Sequence, residues 1–171
     1  MTDGTAFVFD HTTPAGPFTV VARPDGTVLA SGFTAAVDRL TMLLHDSIRP
    51  GRLESRAARG SVSNAVDAYF AGDLGAIDAV AVVQCASAIR ERGWEELRRI
   101  PPGAPISYGE LAKRIDVPRG ARVAGQVCAR NAASLFVPCH RVVAFDGTPH
   151  HFGWGLPVKE WLLAHEGGTL L

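Results

Sequence analysis

The chain has 171 residues, 47% hydrophobic and 20% charged, a composition typical of a globular protein with room for one domain or two small ones. Its formal net charge is zero, so net charge alone names no polyanionic partner. The composition and patterning argue against a membrane span, a secretory leader at Met1-Thr2-Asp3-Gly4-Thr5 and, with only Cys85, Cys128 and Cys139, a disulfide framework.

Residues 5–33 read as β structure. Ala6–Phe9, Phe18–Ala22 and Thr27–Ala30 are short apolar runs, separated by turn signals at Thr13–Pro17 and Pro24-Asp25-Gly26. The second of these connections is short enough for a hairpin. Thr34–His45 reads as a helix with Val37, Leu40, Leu43 and Leu44 on one side, and Asp46–Gly60 as a polar, arginine-bearing loop. Ser61 opens a second helix that buries Val62, Ala65, Val66, Tyr69 and Phe70 and ends at Gly72. Ile77–Val83 reads as a strand. Residues 1–84 are therefore expected to form an α/β N-terminal domain, a small antiparallel sheet with helices.

Residues 85–171 read as a mainly α domain. Ser87–Ile100 carries Ile89, Trp94, Leu97 and Ile100 at helical spacing and is stopped by Pro101-Pro102-Gly103. Ser107 and Glu110 have capping-box spacing at the head of a helix running to about Ile115. After the turn Asp116-Val117-Pro118, a helix from Arg119 to about Arg130 is rich in small residues, among them Gly120, Ala121, Ala124, Gly125 and Ala129. Helix, short turn, helix is the helix-turn-helix pattern, in a winged-helix-like domain. The last helix is Val158–His165. Charge is uneven along the chain: residues 111–141 hold 6 basic residues against the single acid Asp116, a local patch suited to a polyanion.

Between the small-residue helix and the last helix lies Pro138-Cys139-His140-Arg141-Val142, preceded by the apolar run Ala132–Val137. A free cysteine is usually a small buried hydrophobe. Here a proline restricts the backbone beside it, and a histidine and an arginine follow, groups that favour the nucleophilic thiolate. No Cys-x-x-Cys or His-x-x-x-His spacing points to zinc.

Pro138–Val142 resembles the active-site signature of the O6-alkylguanine-DNA alkyltransferases. The similarity extends through Ile106–Ala112, Ala121–Gly125, Asn131 and Val158–Gly167, and more loosely through the Pro-Ala-Gly-Pro turn and Ala68–Gly72. The resemblance implies a suicidal, single-turnover DNA-repair methyltransferase. It would flip O6-alkylguanine, chiefly O6-methylguanine, out of duplex DNA and move the alkyl group irreversibly to Cys139, with O4-methylthymine left open as a further substrate. Cys139, His140 and Glu166 match a water-linked relay, and Asn131 the hinge between the recognition helix and the cysteine segment. Arg122 matches the arginine that enters the base stack; Arg119, Ala121, Gly125 and Arg130 belong to the same DNA-binding surface. Tyr108 matches the tyrosine that crowds the flipped nucleotide's phosphate and donates to the base ring. The backbone of Cys139 and Val142 matches the groups that read the guanine edge, and Phe152, Gly153 and Trp154 line the loop closing the pocket. No cofactor and no metal is implied. The partner is double-stranded DNA bearing the lesion, the location cytoplasmic and the expected state a monomer, with cooperativity on DNA left open.

The chain departs from the family pattern at several points. Phe152 stands where tyrosine is usual, Trp154 where many members are small, Ala132 where proline follows the asparagine, and Ile89 where phenylalanine is common. Thr148-Pro149-His150-His151 is an unusual approach to the pocket loop. Trp154 is expected to narrow the pocket against bulky alkyl groups. Two other classes share parts of this pattern. Alkyltransferase-like lesion binders lack the reactive cysteine, and a helix-turn-helix regulator would carry more long base-reading side chains.

Overall fold

The computed structural model describes residues 2–58 and 60–167. Contacts divide the chain into two compact units, Met1–Cys85 with Ala132–Phe136, and Ala86–Asn131 with Val137–Leu171. A boundary placed at residues 84 and 85 from sequence leaves Ala132–Phe136 with the second half; the contacts put it in the first unit.

In the first unit, β1 (Thr2–Thr13), β2 (Gly16–Ala22), β3 (Val28–Gly32) and β4 (Pro50–Ser55) form one sheet in the order β3-β2-β1-β4. β1 and β2 are antiparallel, with Phe9 opposite Val20 and His11 opposite Phe18. Their two-residue connection closes at Gly16, whose φ of 115° suits glycine, and Thr13 Oγ1 donates to the Gly16 carbonyl at 2.6 Å. The sheet is mixed, because β4 runs parallel to β1 along the edge. The sequence reads as loop there since all six β4 residues are exposed or half-exposed, leaving no apolar alternation. Ile77–Val83 is likewise not a strand. It is a run of turns with a single bridge, Val28 to Val82, held by Val28 N–H to the Ala81 carbonyl at 2.8 Å and Val83 N–H to the Val28 carbonyl at 3.0 Å.

The helix expected over 34–45 shortens to α1 (Val37–Thr41). Its Ncap, Ala36, offers no capping side chain; Thr34 Oγ1 instead accepts the Ala36 N–H at 3.0 Å, favouring a turn. α2 (Ser61–Phe70) follows its expected course. Phe18, Phe33 and Phe136 form an aromatic core, with ring centroids 4.8 Å apart for Phe18–Phe33 and 6.4 Å for Phe18–Phe136. The strip 132–136 is stitched to β3: Ser31 N–H donates to the Ala132 carbonyl at 2.8 Å, Ser134 N–H to the Ser31 carbonyl at 3.1 Å, and Ser31 Oγ to the Ser134 carbonyl at 2.7 Å.

The second unit holds α3 (Ala88–Arg98), α4 (Tyr108–Arg114), α5 (Ala121–Ala129) and α6 (Leu156–His165), with a two-stranded parallel sheet of β5 (Ile106–Ser107) and β6 (Val142–Val143). Leu97, Ile100, Leu111, Ile115, Val127 and Leu162 are fully buried in it. Ser107 Oγ accepts the Glu110 N–H at 3.1 Å, the cap expected at the head of α4. The Glu110 carboxylate does not return the bond and pairs with Arg114 at 3.3 Å instead. α4 and α5 are joined by a short turn in which Asp116 takes a φ of 61°. α6 begins two residues before the expected Val158, because Pro157 is accommodated in its first turn.

Candidate active site

Cys139 opens a single 3₁₀ turn, Cys139–Arg141, that delivers the chain into β6. The thiol is buried, with residue exposure of 6%. Asn131, two residues past the end of α5, donates through Nδ2 both to the Val137 carbonyl at 2.7 Å and to Cys139 Sγ at 3.2 Å. A donor aimed at sulfur favours the thiolate over the thiol. His140 is fully buried and places Nε2 2.9 Å from Glu166 Oε1. The carboxylate also takes Arg141 Nε on Oε2 at 3.0 Å and Arg141 Nη2 on Oε1 at 2.9 Å. Arg141 Nη1 donates to the Ile100 carbonyl at 2.6 Å.

This network assigns protonation states. Burial pushes the His140 imidazole toward neutrality, against the pull of Glu166. Burial raises the Glu166 carboxyl, but His140 and Arg141 outweigh it and hold the carboxyl well below the usual range. With Nε2–H directed at an ionised carboxylate, Nδ1 is the bare ring nitrogen. Nδ1 is buried and has no hydrogen-bond partner among the described residues. It is therefore free to accept a proton. The positive charge of Arg141, read from sequence as an influence on the thiol, is spent on Glu166.

Tyr108 heads α4, half-buried, and Lys159 Nζ lies 5.7 Å from its ring centroid. Burial, reinforced by repulsion from negative charge on the Cys128 and Cys139 sulfurs, raises the Tyr108 hydroxyl, so it stays a donor. Lys159 is fully buried on α6 and donates to the Val142 carbonyl at 2.6 Å and the His151 carbonyl at 3.0 Å. The Val142 carbonyl thus already holds one side-chain donor. Phe152 and Trp154 are half-buried and Gly153 is exposed, in a turn closed by Gly155 N–H to the Phe152 carbonyl at 3.0 Å. Arg119, Ala121, Arg122 and Arg130 are exposed and Gly125 is half-exposed, while Ala124 and Val127 on the same helix are buried.

Two groups were not assigned from sequence. Lys159 falls on the stripe of α6 that carries Leu162, Leu163 and Glu166, and a charge on a buried stripe is the signal that marks it. Cys128, at the end of α5, is near enough to Cys139 for their charges to interact, and burial raises its thiol. Among the described residues, no group of three or more His, Cys, Asp or Glu side chains is placed to hold a metal ion.

Residues 88–168 match the family described as 6-O-methylguanine DNA methyltransferase, DNA binding domain. A methylated-DNA–protein-cysteine methyltransferase from Salmonella typhimurium is 36% identical over 161 residues, covering 93% of this chain and 94% of that one. The chain belongs to the methylated-DNA–protein-cysteine methyltransferase family. Another member, from Mycobacterium leprae, is 34% identical over 86% of this chain and 90% of its own. Among solved structures, Mycobacterium tuberculosis OGT in complex with DNA aligns with a TM-score of 0.76 at 26% identity, covering 94% of this chain and 92% of that one. The O6-methylguanine-DNA methyltransferase of Pyrococcus kodakaraensis shares the fold with a TM-score of 0.75 at 22% identity.

Proposed function

We propose that this methyltransferase flips O6-alkylguanine, chiefly O6-methylguanine, out of duplex DNA and transfers the alkyl group once to Cys139. The observation that carries the reading is the Cys139 sulfur under the Asn131 amide, next to a buried neutral His140 held by Glu166. The thiol proton passes through a bridging water to His140 Nδ1. The sulfur attacks the alkyl carbon, an S–C bond forms, and the C–O6 bond breaks. The electron pair of that bond stays on the guanine, and the Tyr108 hydroxyl donates to the ring so that it leaves as the neutral base. The thioether is stable, so the protein is consumed.

The lesion is unreachable inside the stack, so the base leaves the helix, at a cost of a few kcal/mol in a paired duplex. Exposed Arg122 on α5 fills the gap, and Arg119 and Arg130 hold the backbone. Phe152, Gly153 and Trp154 wall the pocket, and Trp154 favours methyl over benzyl groups. Intact-protein mass after incubation with an O6-methylguanine duplex tests the reaction. The expected gain is one methylene, on Cys139, absent in Cys139→Ala, which still binds DNA. Binding without a mass gain in the unaltered protein would instead identify a lesion-binding protein.

A further inference from the structure

α5 carries a residue the reaction does not use. Gln126 is exposed, four residues after Arg122. At about 100° and 1.5 Å per residue, Gln126 lies roughly 40° around the helix from Arg122 and about 6 Å farther along its axis. The buried side chains of α5, Ala124 and Val127, occupy the opposite side. Arg122, Gly125, Gln126 and Ala129 therefore share the outward face. A Cβ built on Gly125 meets nothing within 4 Å, and Ala129 adds only a methyl group, so the ground beside Gln126 is low. A nucleic acid can approach this backbone closely, and Gln126 is the one uncharged side chain on the face long enough to reach past the phosphates.

We infer that Gln126 reads a base edge in the minor groove beside the lesion and makes repair depend on flanking sequence. The inference rests on the DNA-repair reading above. The minor groove presents acceptors at every base pair, and only a G·C pair adds a donor, the guanine N2 amino group. A carboxamide matches this pattern with both of its ends: its oxygen accepts from N2 and its nitrogen donates to N3 or O2. Arginine and lysine can only donate and cannot recognise that amino group. If Arg122 occupies the gap left by the flipped nucleotide, a residue about 6 Å along the helix meets a pair about two steps away.

The test uses a set of O6-methylguanine duplexes in which one G·C pair, placed at each of the three positions on either side of the lesion, is replaced by inosine·C. Inosine lacks only the N2 amino group. Single-turnover alkylation of Cys139 is followed with the unaltered protein and with Gln126→Ala. The expected result is slower repair with inosine, by about three- to tenfold, at one or two positions on one side of the lesion. In Gln126→Ala, guanine and inosine duplexes should react at equal rates. An inosine effect of the same size in both proteins would place the preference in the DNA and overturn the inference. So would a uniform loss across all duplexes in Gln126→Ala, which marks a phosphate contact. Failure of Cys139 to be alkylated on any duplex would overturn the repair reading instead.

Discussion

Asn131 satisfies two acceptors with one amide group, the Val137 carbonyl and the Cys139 sulfur. Truncating it leaves the Val137 carbonyl with the Cys139 N–H, at 2.8 Å, and strips the sulfur of a donor. Asn131→Ala should cost about 0.5–1.5 kcal/mol of stability and move the pH at which Cys139 becomes reactive toward iodoacetamide upward. An unchanged alkylation profile would mean that the amide serves the backbone alone. Glu166 makes a different prediction, because its partners are ionic. Its folded-state carboxyl titrates well below the unfolded one, so its contribution is complete above the ordinary carboxylate range, begins to fall as pH enters that range, and is gone only once pH has dropped through the lower folded value. His140 acts in the same direction: its folded imidazole titrates below the unfolded value of about 6.5, so acid charges it more readily in the unfolded chain. Stability in urea should therefore fall between pH 7 and pH 4. Glu166→Gln should leave the Arg141 guanidinium buried without its partner, lower stability at pH 7 by about 3–5 kcal/mol, and flatten the acid slope. An acid slope parallel to that of the unaltered protein would assign the effect to other carboxylates.

At the scale of elements, α3 and α5 meet where neither helix has room for another atom. A Cβ added to Gly93 would lie 2.6 Å from Val127 Cγ1, and the next residue, Trp94, donates Nε1–H to the Val127 carbonyl at 3.0 Å. Gly93→Ala gains helix propensity but forces the helices apart. The overpacking, about 1–3 kcal/mol, should exceed the gain of about 1 kcal/mol. A lower urea midpoint is expected, restored in part by pairing the change with Val127→Ala; a raised midpoint would show that the helices part freely. Gly93 carried no signal in sequence, because a close helix crossing is a property of two distant segments. The elements legible from sequence were those with strong local chemistry. Ser107 caps α4, the apolar period of 61–70 makes α2, and Trp94 and Leu97 mark the buried side of α3. β4 escaped because none of its residues is buried, which leaves no apolar alternation to read, although it pairs with β1. In the site, Cys139, His140, Glu166 and Asn131 were legible by resemblance to a family. The bidentate hold of Arg141 on Glu166 and the reach of Lys159 to two carbonyls depend on folding and leave only indirect marks in a linear chain.

At the scale of the whole molecule, the chain path matters more than the two-unit division. The chain leaves the first unit at Cys85, returns for Ala132–Phe136, and leaves again at Val137. That returning strip is buried: Ala133 is fully inaccessible, Leu135 is 1% exposed and Phe136 2% exposed. It is also bracketed by the site, with Asn131 immediately before it and Val137, whose carbonyl Asn131 holds, immediately after. Releasing the strip from β3 removes the fixed ends between which the Asn131–Cys139 geometry is set. The thiol is therefore expected to lose its protection when the first unit unfolds, although local opening is common in proteins built of two units. Urea unfolding should be a single transition. Exchange of the β1 and β2 amides, fluorescence of Trp94, Trp154 and Trp161 in the second unit, and accessibility of the Cys139 thiol should share one midpoint. Phe136→Ala, which opens a cavity against Phe18, should lower all three midpoints together, by about 3–5 kcal/mol of stability. If the sheet amides exchange at a urea concentration where Cys139 remains protected and still accepts a methyl group, the strip does not couple the units and the site is held by the second unit alone.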